Sequence, residues 1–278
     1  MQQVFKGKGR PFRDFLLRHR WDGEPPGTVV GKRLRYLPIL VSERQDIFDE
    51  NCWALRKPFK KTTRVRIDRI LYDEKLKARG KNQNYYKTEN VPYTLNEIAD
   101  ARLLCKNING LIFLSREFSE MYPDATFIAL IRNGLAICEG HIRRRQATAE
   151  EIARRYQAGC DQILHDAENL ANYKIIRYED LISRPQETLT EVFSFARLDI
   201  KKLKKVRLEA TKIIGANGTH NVFKNKPYKE IIWYDLDKIG NHFVSDANEN
   251  QIKRLNPEDK KTILYHAGAA LQAFGYVR

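Results

Sequence analysis

The sequence is short of the features that most readily classify a chain. Its four cysteines, Cys52, Cys105, Cys138 and Cys160, show no CxxC pair and no zinc-ligand spacing. That argues against a zinc module and against a disulfide framework, so a reducing compartment is expected. Cys138 and Cys160 fall in apolar patterns, where cysteine acts as a small hydrophobe. No stretch approaches the roughly 20 apolar residues of a membrane span. The first twenty residues carry scattered charge and no apolar core, which excludes a secretory signal. A soluble, cytoplasmic chain is the expectation. There is no GxxxxGK followed by Ser or Thr, which counts against a nucleotide-kinase-like enzyme. Nor is there an RNA-recognition motif, zinc-finger spacing or basic leucine zipper, so nucleic acid is not the expected partner.

What the chain does have is positive charge. Fifty Lys+Arg against 35 Asp+Glu give 50 − 35 = +15 over 278 residues. Such a field concentrates anions of any kind and does not choose among them. Lys201-Lys202-Leu203-Lys204-Lys205 reads as a solvated helix face. Hydrophobic content of 42% supports an ordinary core, and one large domain spanning residues 1–278 is expected. Within it, residues 1–95 are irregular, insertion-rich and basic. Residues 96–278 carry the regular pattern. Arg56 to Lys81 is strongly basic and reads either as a lid that contacts substrate or as a solvated surface element.

The informative stretch runs from Tyr122 to Gly134, an apolar run bounded by Pro123-Asp124 and by Arg132-Asn133-Gly134. It predicts a buried strand that delivers Arg132 to a strand–helix junction. Guanidinium and free helix amides converge at such a junction, which suits an anion. Lys174-Ile175-Ile176-Arg177-Tyr178-Glu179 repeats the pattern. Around these, Ala101–Lys106 reads as a short strand. Gly110–Met121 reads as a helix with Leu111, Leu114, Phe118 and Met121 on one face. Leu135, Cys138 and Ile142 mark the next helix. Ile152, Tyr156, Cys160, Ile163, Ala167 and Leu170 form the stripe of a longer one. Pro185 opens a helix with Leu189, Val192, Phe193 and Ala196 on one face. Asn256 caps the last helix, whose buried stripe is Ile263, Ala267, Ala270, Leu271 and Phe274, and Gly275 stops it. Strands alternating with such helices predict parallel βαβ units in an α/β fold.

These residues resemble the sulfotransferases that use 3′-phosphoadenosine-5′-phosphosulfate (PAPS). The resemblance lies in Cys105-Lys106-Asn107, in Tyr122-Pro123-Asp124-Ala125 through Leu130-Ile131-Arg132-Asn133-Gly134, and in Arg177-Tyr178-Glu179-Asp180-Leu181-Ile182-Ser183-Arg184-Pro185. Leu255-Asn256-Pro257-Glu258 and Phe274-Gly275-Tyr276 are similar to the family's C-terminal helix. The match covers about Ala101 to Ala196 and the last stretch, and is nearest to bacterial and tyrosylprotein sulfotransferases. It implies a P-loop-like three-layer fold with a parallel sheet flanked by helices, and PAPS as sulfuryl donor. In the family, the arginine at Arg132 binds the 3′-phosphate. The helping serine eight residues on is Gly140 here. Arg144 falls where relatives place a further cation, with Arg143 and Arg145 as neighbouring alternatives. Tyr178 matches a tyrosine near the nucleotide, and Lys106 a lysine that stabilises the leaving phosphate. No metal is expected, because lysine, arginine and backbone amides neutralise the charge. The base is unassigned. Glu139 and His141 flank Gly140 and are candidates, although helix residues of these types are ordinarily exposed.

The family's Gly/Ser/Thr-rich loop for the 5′-phosphosulfate has no counterpart near the N-terminus. Gly27-Thr28-Val29-Val30-Gly31-Lys32-Arg33 has the wrong spacing, and Leu37 through Arg44 lacks a turn glycine. The strand before that loop lies mid-sheet in the family, and its loss would leave buried backbone groups unpaired. The expectation is therefore a shortened N-terminus, a start assigned too late, or a diverged inactive member. Sulfuryl transfer from PAPS to a hydroxyl or amine is the leading reading. A non-catalytic polyanion-binding protein on the same scaffold is the alternative. The acceptor, whether glycan, peptide, lipid or small molecule, is not legible in the sequence.

Overall fold

The computed structural model describes residues 58–76, 96, 102, 104, 109–203, 205–210, 213–214, 220–221, 230–243 and 246–277. The chain divides into two compact units, Met1–Pro123 and Asp124–Arg278. Lys106, Cys52 and Cys105 lie outside the described residues, as do the Gly27–Arg33 and Leu37–Arg44 segments. Of the expected Ala101–Lys106 strand, Arg102 and Leu104 are described, and both lie outside any regular element.

In the first unit, α1 (Lys61–Leu76) covers most of the basic stretch. Arg64 is committed internally: its guanidinium meets Glu117 at 2.9 Å and Glu120 at 2.6 Å on α2 (Ser115–Met121). Tyr122 adds a hydroxyl bond to Asp68 at 2.9 Å. The helix expected from Gly110 begins instead as a 3₁₀ segment, Asn109–Leu114, and becomes α-helical only at Ser115. The Ser115 hydroxyl donates to the Ile112 carbonyl at 2.9 Å, so a side chain occupies that carbonyl at the junction.

The second unit is α/β, with a small parallel sheet. β1 (Phe127–Ile131) pairs with β2 (Tyr173–Arg177) in register, Phe127 opposite Tyr173 through Ile131 opposite Arg177. Parallel neighbours need a long crossover, supplied by α3 (Gly134–Arg143) and α4 (Ala149–Asn169). The expected burial of β1 holds on one face only. Ile131 is buried, whereas Ile128 and Leu130, which point the other way, are 41% and 55% exposed. α4 starts at a capping box. Thr148 accepts from the Glu151 amide and Glu151 from the Thr148 amide. Beyond β2 come α5 (Tyr178–Ser183) and α6 (Pro185–Phe195). On α6 the expected stripe is only half-buried, and Thr188 is the buried residue.

The lysine-rich run is not a helix face. A single 3₁₀ turn, Ile200–Lys202, leads into β3 (Lys205–Ala210), which pairs antiparallel with β6 (Glu230–Asp235). Between them β4 (Ile213–Ile214) meets β5 (His220–Asn221). A 3₁₀ segment, Leu236–His242, precedes α7 (Ala247–Ile252) and α8 (Pro257–Ala273).

The main core of this unit joins α3, α4 and α8: Leu135, Cys138, Ile152, Ala153, Ile263, Ala267 and Leu271. Cys138 and Cys160 are buried free thiols, and burial pushes each up to about 12. At the end of α8, Gly275 adopts φ +70° while the Tyr276 amide bonds the Leu271 carbonyl at 2.7 Å. This is a glycine-terminated helix stop, and it turns Tyr276 back into the unit. No helix among the described residues is long and apolar enough to cross a membrane.

Candidate anion site at the strand ends

Each residue of Arg132-Asn133-Gly134 has a distinct task. Asn133 caps α3, its side chain accepting from the Leu135 amide at 3.0 Å. Gly134 leaves room for an aromatic ring, since a Cβ there would lie 2.5 Å from Tyr156 Cε1. That ring belongs where it is because the Tyr156 hydroxyl donates to the Arg132 carbonyl at 3.0 Å. Burial, and then Cys160 beside it, pushes the Tyr156 hydroxyl well above the ordinary tyrosine range, so it stays a neutral donor.

Two of the helix-end amides expected to serve an anion are already taken, that of Leu135 by the Asn133 cap. The Asn133 amide donates to Glu179 Oε1 at 3.0 Å, so an internal carboxylate already serves this helix end. Glu179 also accepts from Asn248 Nδ2 and, at 2.8 Å, from the Tyr276 hydroxyl. Burial opposes its charge. The Asn133 and Glu179 backbone amides and the Tyr276 and Asn248 side chains outweigh that and hold it below the usual carboxylate range.

Arg132 is placed differently. Its Nε donates to Asn248 Oδ1 at 2.7 Å, its Nη2 to Gln251 Oε1, and its Cζ lies 4.6 Å from the centroid of the Tyr178 ring. Stacking on Tyr178 fixes the plane of the guanidinium without using its donors. Among the described residues no carboxylate lies within ion-pair distance of it. A guanidinium carries five N–H donors, so these two bonds leave three for a ligand.

Gly140 and Arg144 gather at the same place. A Cβ at 140 would sit 3.4 Å from Gln251 Nε2 and 3.5 Å from Arg144 Nη2. Arg144 is exposed, and its guanidinium reaches back along α3 to Gly140. Arg143 instead bonds Glu139 at 2.9 Å, and Arg145 takes a left-handed φ of 54° in the exposed turn. Arg132 and Tyr178 are thus in contact, Gly140 and Arg144 are neighbours, and Gln251 links the two pairs; Lys106 lies outside the described residues.

The two candidate bases are not ordinary exposed helix residues. Glu139 is 3% exposed and accepts from Arg143 and Arg254, each at 2.9 Å, and from Gln251 at 3.2 Å. Burial disfavours its charge, but Arg254, Gln251 and Arg143 overcome that and hold the carboxyl below the usual range. A carboxylate so engaged is a structural anchor rather than a proton acceptor. His141 is half-buried, and burial followed by the charges of Arg144 and Arg155 lowers its pKa.

The sequence reading missed Asn248 and Gln251. They lie three apart on α7, hence on one face, and this spacing was the only signal available for them. A cavity of about 320 Å³ lies elsewhere in the unit, lined by Ile176, Arg177, Asp180, Arg184, Glu191 and Phe274 among others. None of Arg132, Gly140, Arg144 and Tyr178 lines it. Arg184 is already paired with Asp180 and Glu187. Arg132, at the strand ends, has no such carboxylate pairing among the described residues.

No curated protein and no solved structure matches the chain significantly. A family model described as the sulfotransferase family matches residues 51–202, more than half of the chain and the whole span from β1 through α6. The chain belongs to the sulfotransferase family.

Proposed function

We propose that the protein transfers a sulfuryl group from PAPS to a hydroxyl or amine acceptor, and that Arg132 and Arg144 bind the 3′-phosphate of the donor. The supporting observation is Arg132 itself. It is stacked on Tyr178, tied by two neutral amides and without a carboxylate partner among the described residues. A phosphate dianion matches that donor set, because three N–H groups and a second guanidinium near Gly140 remain for its oxygens.

The donor supplies the sulfuryl group. The bond between sulfur and the 5′-phosphate oxygen breaks, a bond from the acceptor oxygen or nitrogen to sulfur forms, and the acceptor proton passes to a base. Adenosine 3′,5′-bisphosphate leaves. Arg132 and Arg144 contribute binding and orientation at the far end of the nucleotide, and such remote contacts hold the reacting atoms in place. Lys106 is assigned to charge on the leaving phosphate by resemblance alone. The same reading needs no metal and leaves the acceptor class open; a cytoplasmic location is part of the proposal and rests on the sequence.

Calorimetric titration of adenosine 3′,5′-bisphosphate and of AMP isolates the 3′-phosphate. Arg132→Ala is expected to lower the preference for the bisphosphate by roughly tenfold to a hundredfold, the range for a charge-assisted phosphate contact. An unchanged preference would sink the assignment. Binding without any 3′-phosphate preference, and falling steeply with salt, would favour the polyanion-binding alternative.

A further inference from the structure

Arg132 is held by amides rather than acids, and the acids stand one residue further out. Asn248 Nδ2 donates to Glu179 Oε1, while its Oδ1 accepts from Arg132 Nε. Gln251 Nε2 donates to Glu139 Oε2 at 3.2 Å and to the Ala136 carbonyl at 3.2 Å, while its Oε1 accepts from Arg132 Nη2. Each carboxamide therefore bridges a carboxylate and the same guanidinium. Ionised carboxylates only accept, and guanidinium groups only donate. A primary amide placed between them has one satisfied orientation, with its NH₂ toward the acid and its carbonyl toward Arg132.

The consequence is electrostatic. Had Glu179 or Glu139 bonded Arg132 directly, an arriving phosphate would compete with a charge-assisted hydrogen bond inside the protein. Through the amides, the guanidinium is oriented while no carboxylate occupies its donors. The acids instead hold other groups: Glu179 the Asn133 amide and the Tyr276 hydroxyl, Glu139 the Arg143 and Arg254 guanidinium groups.

We propose that Asn248 and Gln251 are positioning residues, neutral relays that aim Arg132 at a phosphate while keeping two nearby carboxylates from taking its N–H donors. This rests on the reading that Arg132 binds the 3′-phosphate of the nucleotide.

The test uses the full chain and the ratio of Kd for AMP to Kd for adenosine 3′,5′-bisphosphate, with unfolding midpoints measured beside it. A merely structural role would weaken both ligands together and leave the ratio alone. Gln251→Glu preserves shape and sets a carboxylate against Arg132, so the ratio is expected to fall roughly tenfold or more. Asn248→Ala removes one tether without adding charge, and roughly a fivefold fall is expected. It carries the test by itself if Gln251→Glu fails to fold. Arg132→Ala separates the two claims. If Arg132→Ala collapses the ratio while the folded Asn248 and Gln251 variants keep it, the relay is wrong and the anion site stands. If Arg132→Ala also keeps the ratio, the functional reading fails and takes the relay with it.

Discussion

Glu179 offers the most direct test of how the strand ends are tied together. Its carboxylate accepts from the Asn133 amide at 3.0 Å, from Asn248 Nδ2 and from the Tyr276 hydroxyl at 2.8 Å, thereby joining β1, α3, α7 and the C-terminal turn. Glu179→Ala removes all three bonds. At about 1 kcal/mol for each, and somewhat more because the acceptor is charged, the loss is about 3–4 kcal/mol before water relieves the half-buried donors. Glu179→Gln keeps an oxygen for Asn133 and Asn248 and sets its NH₂ against Tyr276, whose hydroxyl can turn to accept. Its cost is expected to be about 1–2 kcal/mol. Urea denaturation followed by far-ultraviolet circular dichroism at pH 7 measures both. The sign with pH follows from the folded-state pKa, which lies below the ordinary value. The carboxylate's contribution is fully present above the unfolded pKa of about 4.3 and is lost as pH falls through the lower folded value. The gap between wild type and Glu179→Gln should therefore narrow from pH 7 to pH 3. A cost below about 1 kcal/mol for Glu179→Ala, or a gap that ignores acid, would refute the hub.

Two further substitutions separate binding from packing. Gly140→Ser places a Cβ in ordinary contact with Gln251 and Arg144 and restores a hydroxyl beside them, so affinity for adenosine 3′,5′-bisphosphate should rise severalfold by calorimetry. Stability should not fall, because serine is the better helix residue by about 0.5 kcal/mol. Leu271→Ala empties a fully buried position between α8 and α4 and should cost about 2–5 kcal/mol in urea denaturation. At temperatures where that variant stays folded, the preference for the bisphosphate over AMP should match wild type.

Local chemistry made much of this protein legible. The stripe from Ile152 to Ile163 and the stripe from Ile263 to Leu271 are regular enough that burial follows from helical geometry alone. Asn256, Pro257 and Gly275 announced their helix ends because caps and stops depend on residues a few positions apart. Arg132 could be singled out because it follows an apolar run and precedes Asn-Gly, a local pattern with a local cause.

Other features escaped because their causes are not local. The expected helix start is a 3₁₀ segment, at whose end Ser115 bonds a carbonyl three residues back. Glu139 looked like an exposed helix residue until Arg254, 115 positions away, closed on it. Nothing near Asn248 or Gln251 in sequence reveals that Arg132, 116 and 119 positions earlier, ends between them. The sequence by itself determined β1, β2 and the helices α3, α4, α6 and α8, the buried stripes of α4 and α8, and the position of Arg132 just past the end of β1. Only the tertiary structure decided which charges cancel and which survive. Hydrogen bonds and ion pairs act over about 3 Å in space, whatever separates their partners along the chain. Arg64, Arg143 and Arg254 found carboxylates, and Arg132 found amides.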